Sequence, residues 1–202
     1  MSSTPLSQTA LVIIDLQQGF NHPTHWGTTR SNPSFESNIT ALLSAFRSSQ
    51  PNNPNIFHVR HHSLHPDSPL NPSKPGVAFM DYATPLPGEP VYSKTVNSSL
   101  IGTTLAADLR ARHIKTLYVC GLVVNHCVGT TVRMAANLHV VDFDGEEDGK
   151  IVLVSDATAA WNRGVYSAET VHGVHVESLK SEFCEVELTD AVVATLKEMA
   201  DK

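Results

Sequence analysis

The stretch Leu117-Tyr-Val-Cys-Gly-Leu-Val-Val-Asn-His-Cys-Val128 decides how this chain is built. Leu117 to Cys120 is an unbroken apolar run, the pattern of a strand buried on both faces in a parallel sheet. Gly121 to His126 reads as the turn out of that strand. Val128, Val132, Ala135 and Ala136 then recur at helical spacing, with Asn125 as the expected N-cap. A buried strand that passes through a short turn into a helix is the repeating unit of an α/β fold.

The same alternation extends in both directions. Leu11-Val-Ile-Ile14 is a buried strand closed by Asp15, and Phe35, Ile39, Leu42, Leu43 and Phe46 mark a helix behind Asn32-Pro33-Ser34. Ile56 to Val59 reads as a strand and Val91-Tyr92 as a short one. Asn97-Ser98-Ser99 are expected to cap a helix with the stripe Ile101, Leu105 and Leu109. Beyond the central stretch, Ile151 to Val154 is a strand and Val171 to Leu179 a weaker helix interrupted by Gly173. Phe183 to Val186 is a last strand, and Ala191 to Met199 a helix capped by Thr189. The pattern predicts a three-layer α-β-α, Rossmann-like architecture, with a mainly parallel six-stranded sheet covered by helices on both faces. With 202 residues the chain is long enough for one such core and short for two. Residues 1–202 are therefore expected to form a single domain.

Composition narrows the function. Fourteen Lys and Arg against 20 Asp and Glu give a formal charge of −6, which argues against a nucleic-acid or anionic-membrane surface. The N-terminus has no basic region, and its first apolar run stops at Asp15, too short for a signal peptide. A cytoplasmic location, with no membrane partner, is the expectation. The three cysteines, Cys120, Cys127 and Cys184, include no CxxC pair, so neither a disulfide framework nor a four-cysteine zinc site is available. Nine of the 12 prolines fall between Pro51 and Pro90, and none follows Pro90. The stretch from Arg60 to Pro90 is thus a long loop, of the kind that usually carries function.

Ligands of open parallel sheets bind beyond the carboxyl ends of the strands. Three reactive side chains sit there: Asp15 after the first strand, Lys94 after Val91-Tyr92, and Cys127 between a strand and the following helix. A cysteine at a helix N-terminus is expected to have its thiolate stabilised, and a nearby ammonium adds to that. Carboxylate, ammonium and thiol are the parts of a nucleophile with its own base.

These segments resemble the isochorismatase-like cysteine hydrolases, a superfamily that includes nicotinamidases, N-carbamoylsarcosine amidohydrolases, ureidoacrylate amidohydrolases and biuret hydrolases. The resemblance runs through Leu11-Val-Ile-Ile-Asp15-Leu-Gln17, Ser68-Pro-Leu70, Lys94-Thr-Val-Asn97-Ser-Ser, Val119 to Val128, Val154-Ser-Asp156-Ala-Thr158 and Ser178-Leu179. It implies a catalytic triad of Asp15, Lys94 and Cys127, with attack of the thiol on an amide-type carbonyl of a small-molecule substrate. It also implies a cis peptide joining Leu122 and Val123, with an oxyanion hole formed near Leu122, Val123 and Cys127, no cofactor, and a homo-oligomer, dimer or tetramer. The alternatives are a vinyl-ether-cleaving isochorismatase, whose chemistry needs no cysteine, and a catalytically silent binding protein on the same fold. Cys120 and Cys184 are expected in the core.

Nicotinamidases of this superfamily bind a metal near the second strand through an Asp and two His. Here the region carries His58, His61, His62 and His65 but reads Arg60-His61-His62-Ser63, without that pattern, so no metal is expected. His61 or His62 is expected to meet the substrate instead. Gln17, Phe20, Trp26 and Trp161 are further candidate pocket residues. The acidic insert from Asp142 to Asp148 lacks the spacing of a calcium loop and reads as a solvated turn.

Overall fold

The computed structural model describes residues 4–52 and 54–202; Met1 to Ser3, part of the N-terminal stretch considered above, lie outside the described residues. Six strands form one sheet in the order β3-β2-β1-β4-β5-β6, all neighbours parallel. They are β1 Thr9–Ile14, β2 Ile56–His61, β3 Val91–Lys94, β4 Thr116–Leu122, β5 Lys150–Ala159 and β6 Glu185–Glu187. Among the described residues five α-helices accompany them: α1 Phe35–Ser49, α2 Leu105–Ala111, α3 Gly129–Asn137, α4 Ala168–Glu177 and α5 Thr189–Ala200. Strand order reverses between β1 and β4, which makes the seam between them the switch point where such sheets bind ligands.

The alternation within β1 shows why the sheet has two covered faces. Leu11 and Ile13 join Phe35, Ile39, Leu42 and Phe46 of α1 and Val192 and Leu196 of α5. Ala10, Val12 and Ile14 point the other way, to Leu105 and Leu109 of α2, Val132 and Ala135 of α3, and Val171 of α4. Cys120 lies on the first face and Cys184 on the second, both buried. Burial pushes both thiols up, Cys184 to about 11.

Several element ends differ from the spacing-based expectation. Asn97-Ser98-Ser99 caps no helix: α2 begins only at Leu105, and Ile101 is exposed. The Ser99 N–H donates instead to Thr131 Oγ1 of α3, at 3.0 Å. Gly121 is a strand residue of β4 rather than a turn. Asn125 is no N-cap, since Val124–Val128 forms a π-helical turn that runs directly into α3. Thr189 is the first residue of α5, and the cap comes from Asp156 of β5, whose Oδ1 accepts both the Thr189 N–H and its hydroxyl at 2.8 Å. Gly173 does not interrupt α4, which starts earlier, at Ala168, where Ser167 accepts the Thr170 N–H.

The proline-rich loop is pinned at its middle and near its end. Met80 N–H donates to Leu16 O, and Gln18 N–H to Ala78 O, tying its middle to the exit of β1. Near its end, Glu89 accepts Arg47 of α1 through Nε and a terminal nitrogen at 2.7 and 2.9 Å, and His58 Nε2 at 2.8 Å. The acidic insert forms a turn in which Asp142 accepts the Gly149 N–H and Glu146 pairs with Lys115 and His113.

Candidate active site

Asp15 follows the last residue of β1 with φ at 57°, a left-handed conformation that Asp tolerates better than most side chains. Its N–H still bonds Val59 O of β2, so the chain turns immediately after leaving the sheet. Lys94 ends β3, opposite His61 of β2 in register. Its Nζ lies 2.7 Å from Asp15 Oδ2, and both side chains are wholly buried. A second contact of 3.2 Å runs from Nζ to His61 Nδ1. The other carboxylate oxygen, Asp15 Oδ1, has no hydrogen-bond partner among the described residues.

Cys127 sits in the π-turn, whose geometry is held by Val123 O accepting the His126 and Val128 N–H groups. The Leu122–Val123 peptide immediately before it is cis. Thr131 anchors the turn from α3 by donating its hydroxyl to Cys127 O at 2.7 Å. Cys127 Sγ, one Asp15 oxygen and one His61 nitrogen all lie within 4.8 Å of one another, and Asn97 Oδ1 is 4.0 Å from the sulfur. Burial, followed by the Asp15 charge, raises the Cys127 thiol by more than Lys94 lowers it. The helix-terminus expectation of a stabilised thiolate is thereby corrected. Exclusion of water and the neighbouring Asp15 carboxylate both favour the thiol form of Cys127.

These groups open on a pocket of about 490 Å³. Its walls are Phe20 and Trp26 on one side, Val123 and His126 on another, and Ser63, His65, Asp67, Ser68 and Leu70 from the proline-rich loop. A side chamber of about 320 Å³ shares Trp26, Asn97, Val123 and His126 with it and adds Trp161 and Arg163. Phe20 stacks on Trp26 at 4.4 Å and on Trp161 at 5.7 Å. Trp161 thus backs the aromatic wall and lines the side chamber rather than the main pocket.

Three other residues singled out in the sequence fall elsewhere. Gln17 is fully buried and lines neither cavity. Its Oε1 accepts the His61 N–H at 2.7 Å, and its Nε2 donates to His61 O at 3.0 Å and Val77 O at 3.1 Å. It is a clamp on the end of β2, not a substrate contact. His58 is consumed by Glu89, and His62 does not line the pocket. Asp15, His61 and Cys127 form a donor set of metal-like spacing. Yet the Lys94 ammonium already bonds both Asp15 and His61, so a second cation there would meet like charge at close range. The set does not fit a metal ion. Spacing alone missed Asn97, taken for a cap residue; the loop residues from Ser63 to Leu70 lie in the long loop expected to carry function, which includes the Ser68-Pro-Leu70 segment of the resemblance.

A thiol, a carboxylate and an ammonium gathered at the switch point of a parallel α/β sheet define a hydrolase of the cysteine type. The chain belongs to the isochorismatase family: the isochorismatase domain model matches residues 9–190. It is 35% identical over 189 residues to the isochorismatase family protein YrdC of Bacillus subtilis, covering 91% of this chain and 94% of that protein. A solved isochorismatase-family hydrolase from Chromobacterium violaceum superposes with a TM-score of 0.83 at 33% identity, covering 98% of this chain and all of that one. A cysteine hydrolase from Pseudomonas syringae superposes at 0.81 with 25% identity, covering 98% and 97%. Among the described residues, no helix is long and apolar enough to cross a membrane.

Proposed function

We propose that this hydrolase cleaves a C–N bond of a small amide or ureido substrate through a thioester on Cys127. The observation that carries the reading is Asp15 Oδ1, a buried carboxylate oxygen that has no partner among the described residues and lies beside the Cys127 thiol bordering the pocket. An unmet buried acceptor costs about 1–3 kcal/mol, which is tolerated where the group has work to do. Asp15 takes the Cys127 proton as sulfur bonds the substrate carbonyl carbon, and it returns that proton to the nitrogen as the C–N bond breaks. Water then attacks the thioester, Asp15 accepts its proton, and the sulfur leaves as thiol once the proton is passed back. Lys94 holds Asp15 in place through its 2.7 Å contact with Oδ2. We assign the oxyanion contacts to the backbone N–H groups of Val123 and Cys127.

The pocket's size suits a small molecule, and its aromatic wall suits a planar group such as an amide or ureide. Local similarity supports the bond type: over 95 residues, 44% of this chain and 34% of that protein, the chain is 35% identical to the ureidoacrylate amidohydrolase of Variovorax paradoxus. The test is ammonia release from a panel of small amides and ureides by the wild type and by Cys127→Ala and Cys127→Ser. Turnover by the wild type, lost in both variants, is expected. Undiminished turnover in Cys127→Ala would remove the nucleophile assignment, and pyruvate release from isochorismate by that variant would establish vinyl-ether chemistry in its place.

A further inference from the structure

We infer that His61 is a fourth working member of the site, a positioning residue that must be neutral for the Asp15–Lys94–Cys127 cluster to act. The inference rests on the functional reading above and adds a group outside its triad. Lys94 Nζ donates to Asp15 Oδ2 at 2.7 Å and meets His61 Nδ1 at 3.2 Å. An ammonium has no acceptor capacity, so His61 Nδ1 must present a lone pair and the ring must carry its proton on Nε2. With two of its three N–H groups so directed, the ammonium has its third left for the side of Cys127.

The backbone that carries the ring is held in place. Gln17 grips both the N–H and the carbonyl of His61, and the residue pairs in register with Lys94 itself. The charged and titratable groups that face the ring are Asp15 from the end of β1, Lys94 from β3 and Cys127 from the π-turn. His62 lies beside it on the chain, and His65 and Asp67 reach the same pocket from the loop. Burial, then the Lys94 charge, lowers the His61 imidazole from its ordinary value of 6.5, with the Asp15 charge and a hydrogen bond to the Val96 backbone working against them. Neutral His61 is therefore the resting form at neutral pH. Protonation below that range would remove the acceptor of the Lys94 N–H and set a second cation against the ammonium, displacing it from Asp15 and from the sulfur.

The test needs no substrate. The rate of Cys127 alkylation by iodoacetamide, followed by mass spectrometry, is measured between about pH 5 and 8 for the wild type, His61→Asn and His61→Leu. Asparagine supplies a fixed acceptor near the Nδ1 position and cannot titrate. The ratio of the His61→Asn rate to the wild-type rate cancels the ordinary loss of thiolate in acid. That ratio is expected to be level above pH 6.5 and to rise as the pH falls below it. His61→Leu, which has no acceptor, is expected to label Cys127 at least about tenfold more slowly across the range, with His61→Asn recovering much of the loss. A ratio that stays level from pH 8 to 5 would overturn the inference. So would a His61→Leu protein that melts like the wild type and labels at its rate. If His61→Leu fails to fold, the asparagine ratio alone decides. Because labelling does not depend on turnover, failure here is distinct from failure of the amide reading, which the substrate panel judges.

Discussion

Replacing Lys94 by methionine keeps most of the length of the side chain and removes its ammonium, which isolates what the buried ion pair contributes. Lys94 and Asp15 are both wholly buried and meet at 2.7 Å. Removing one partner of such a pair typically costs about 3–5 kcal/mol, since the other charge is left without compensation in a dry site. The cost belongs at the upper end here, because Asp15 Oδ1 already lacks a partner and Lys94→Met would leave both oxygens bare. Out of a total stability of about 5–15 kcal/mol, that is a large share. For a chain of this length each kcal/mol moves Tm by about 2–4 °C, so a fall of about 6–20 °C is expected. The assay is urea and thermal melting at pH 7 of Lys94→Met, Asp15→Asn and the double variant. The double variant should lose much less than the two single losses combined, since it buries no lone charge. A Lys94→Met loss below about 1 kcal/mol, as for exposed pairs, would refute the reasoning. So would single losses that add to within about 0.5 kcal/mol.

Two further outcomes follow from the fold. Glu89 feels burial most, which raises its carboxyl, but Arg47, His58 and the Leu86 N–H together overcome that and hold it down at about 2. A depressed folded-state pKa stabilises above the unfolded value and is lost as pH falls. Glu89→Gln should therefore melt well below the wild type at pH 7, with the gap closing as pH drops from about 4.5 toward 2, as paired melts would show. Gly121 has φ at 115°, and a Cβ there would overlap the carbonyl of Ile14. Gly121→Ala should cost about 3 kcal/mol or more, whereas Gly164→Ala, left-handed but open to space, should cost about 1–2 kcal/mol in the same denaturation assay.

The sheet was legible in the chain because its strands are buried on both faces. Leu11 to Ile14 and Leu117 to Cys120 can be apolar throughout only in such a place, and the residues that close them mark the ligand edge. Asp15, Lys94 and Cys127 could each be found as a strand-end residue of suitable chemistry, and the family resemblance joined them. What could not be read depends on long-range bonds. Ser99 looks like a cap until Thr131, brought in by α3, takes its N–H. The cap of α5 belongs to Asp156, far away in sequence but adjacent across β5. Gln17 has the spacing of a pocket residue, yet both ends of its amide are spent on His61. The thiol was expected to be lowered and is raised for the same reason: a helix terminus is visible in one dimension, whereas the burial around the sulfur, and the carboxylate beside it, are not.

The close approach at Gly121 bears on how the site tolerates error. Asp15 leaves the sheet from β1 and Cys127 follows β4, so their relation depends on one seam, where Ile14 lies opposite Gly121. A slip of one residue along that seam would turn every side chain of β4 to the opposite face. It would also bring Cys120 or Leu122 against the Ile14 carbonyl, where only a residue without a Cβ fits. Gly121 thus acts as a key in the joint, rejecting the neighbouring registers during assembly and leaving the one in which acid and sulfur face each other.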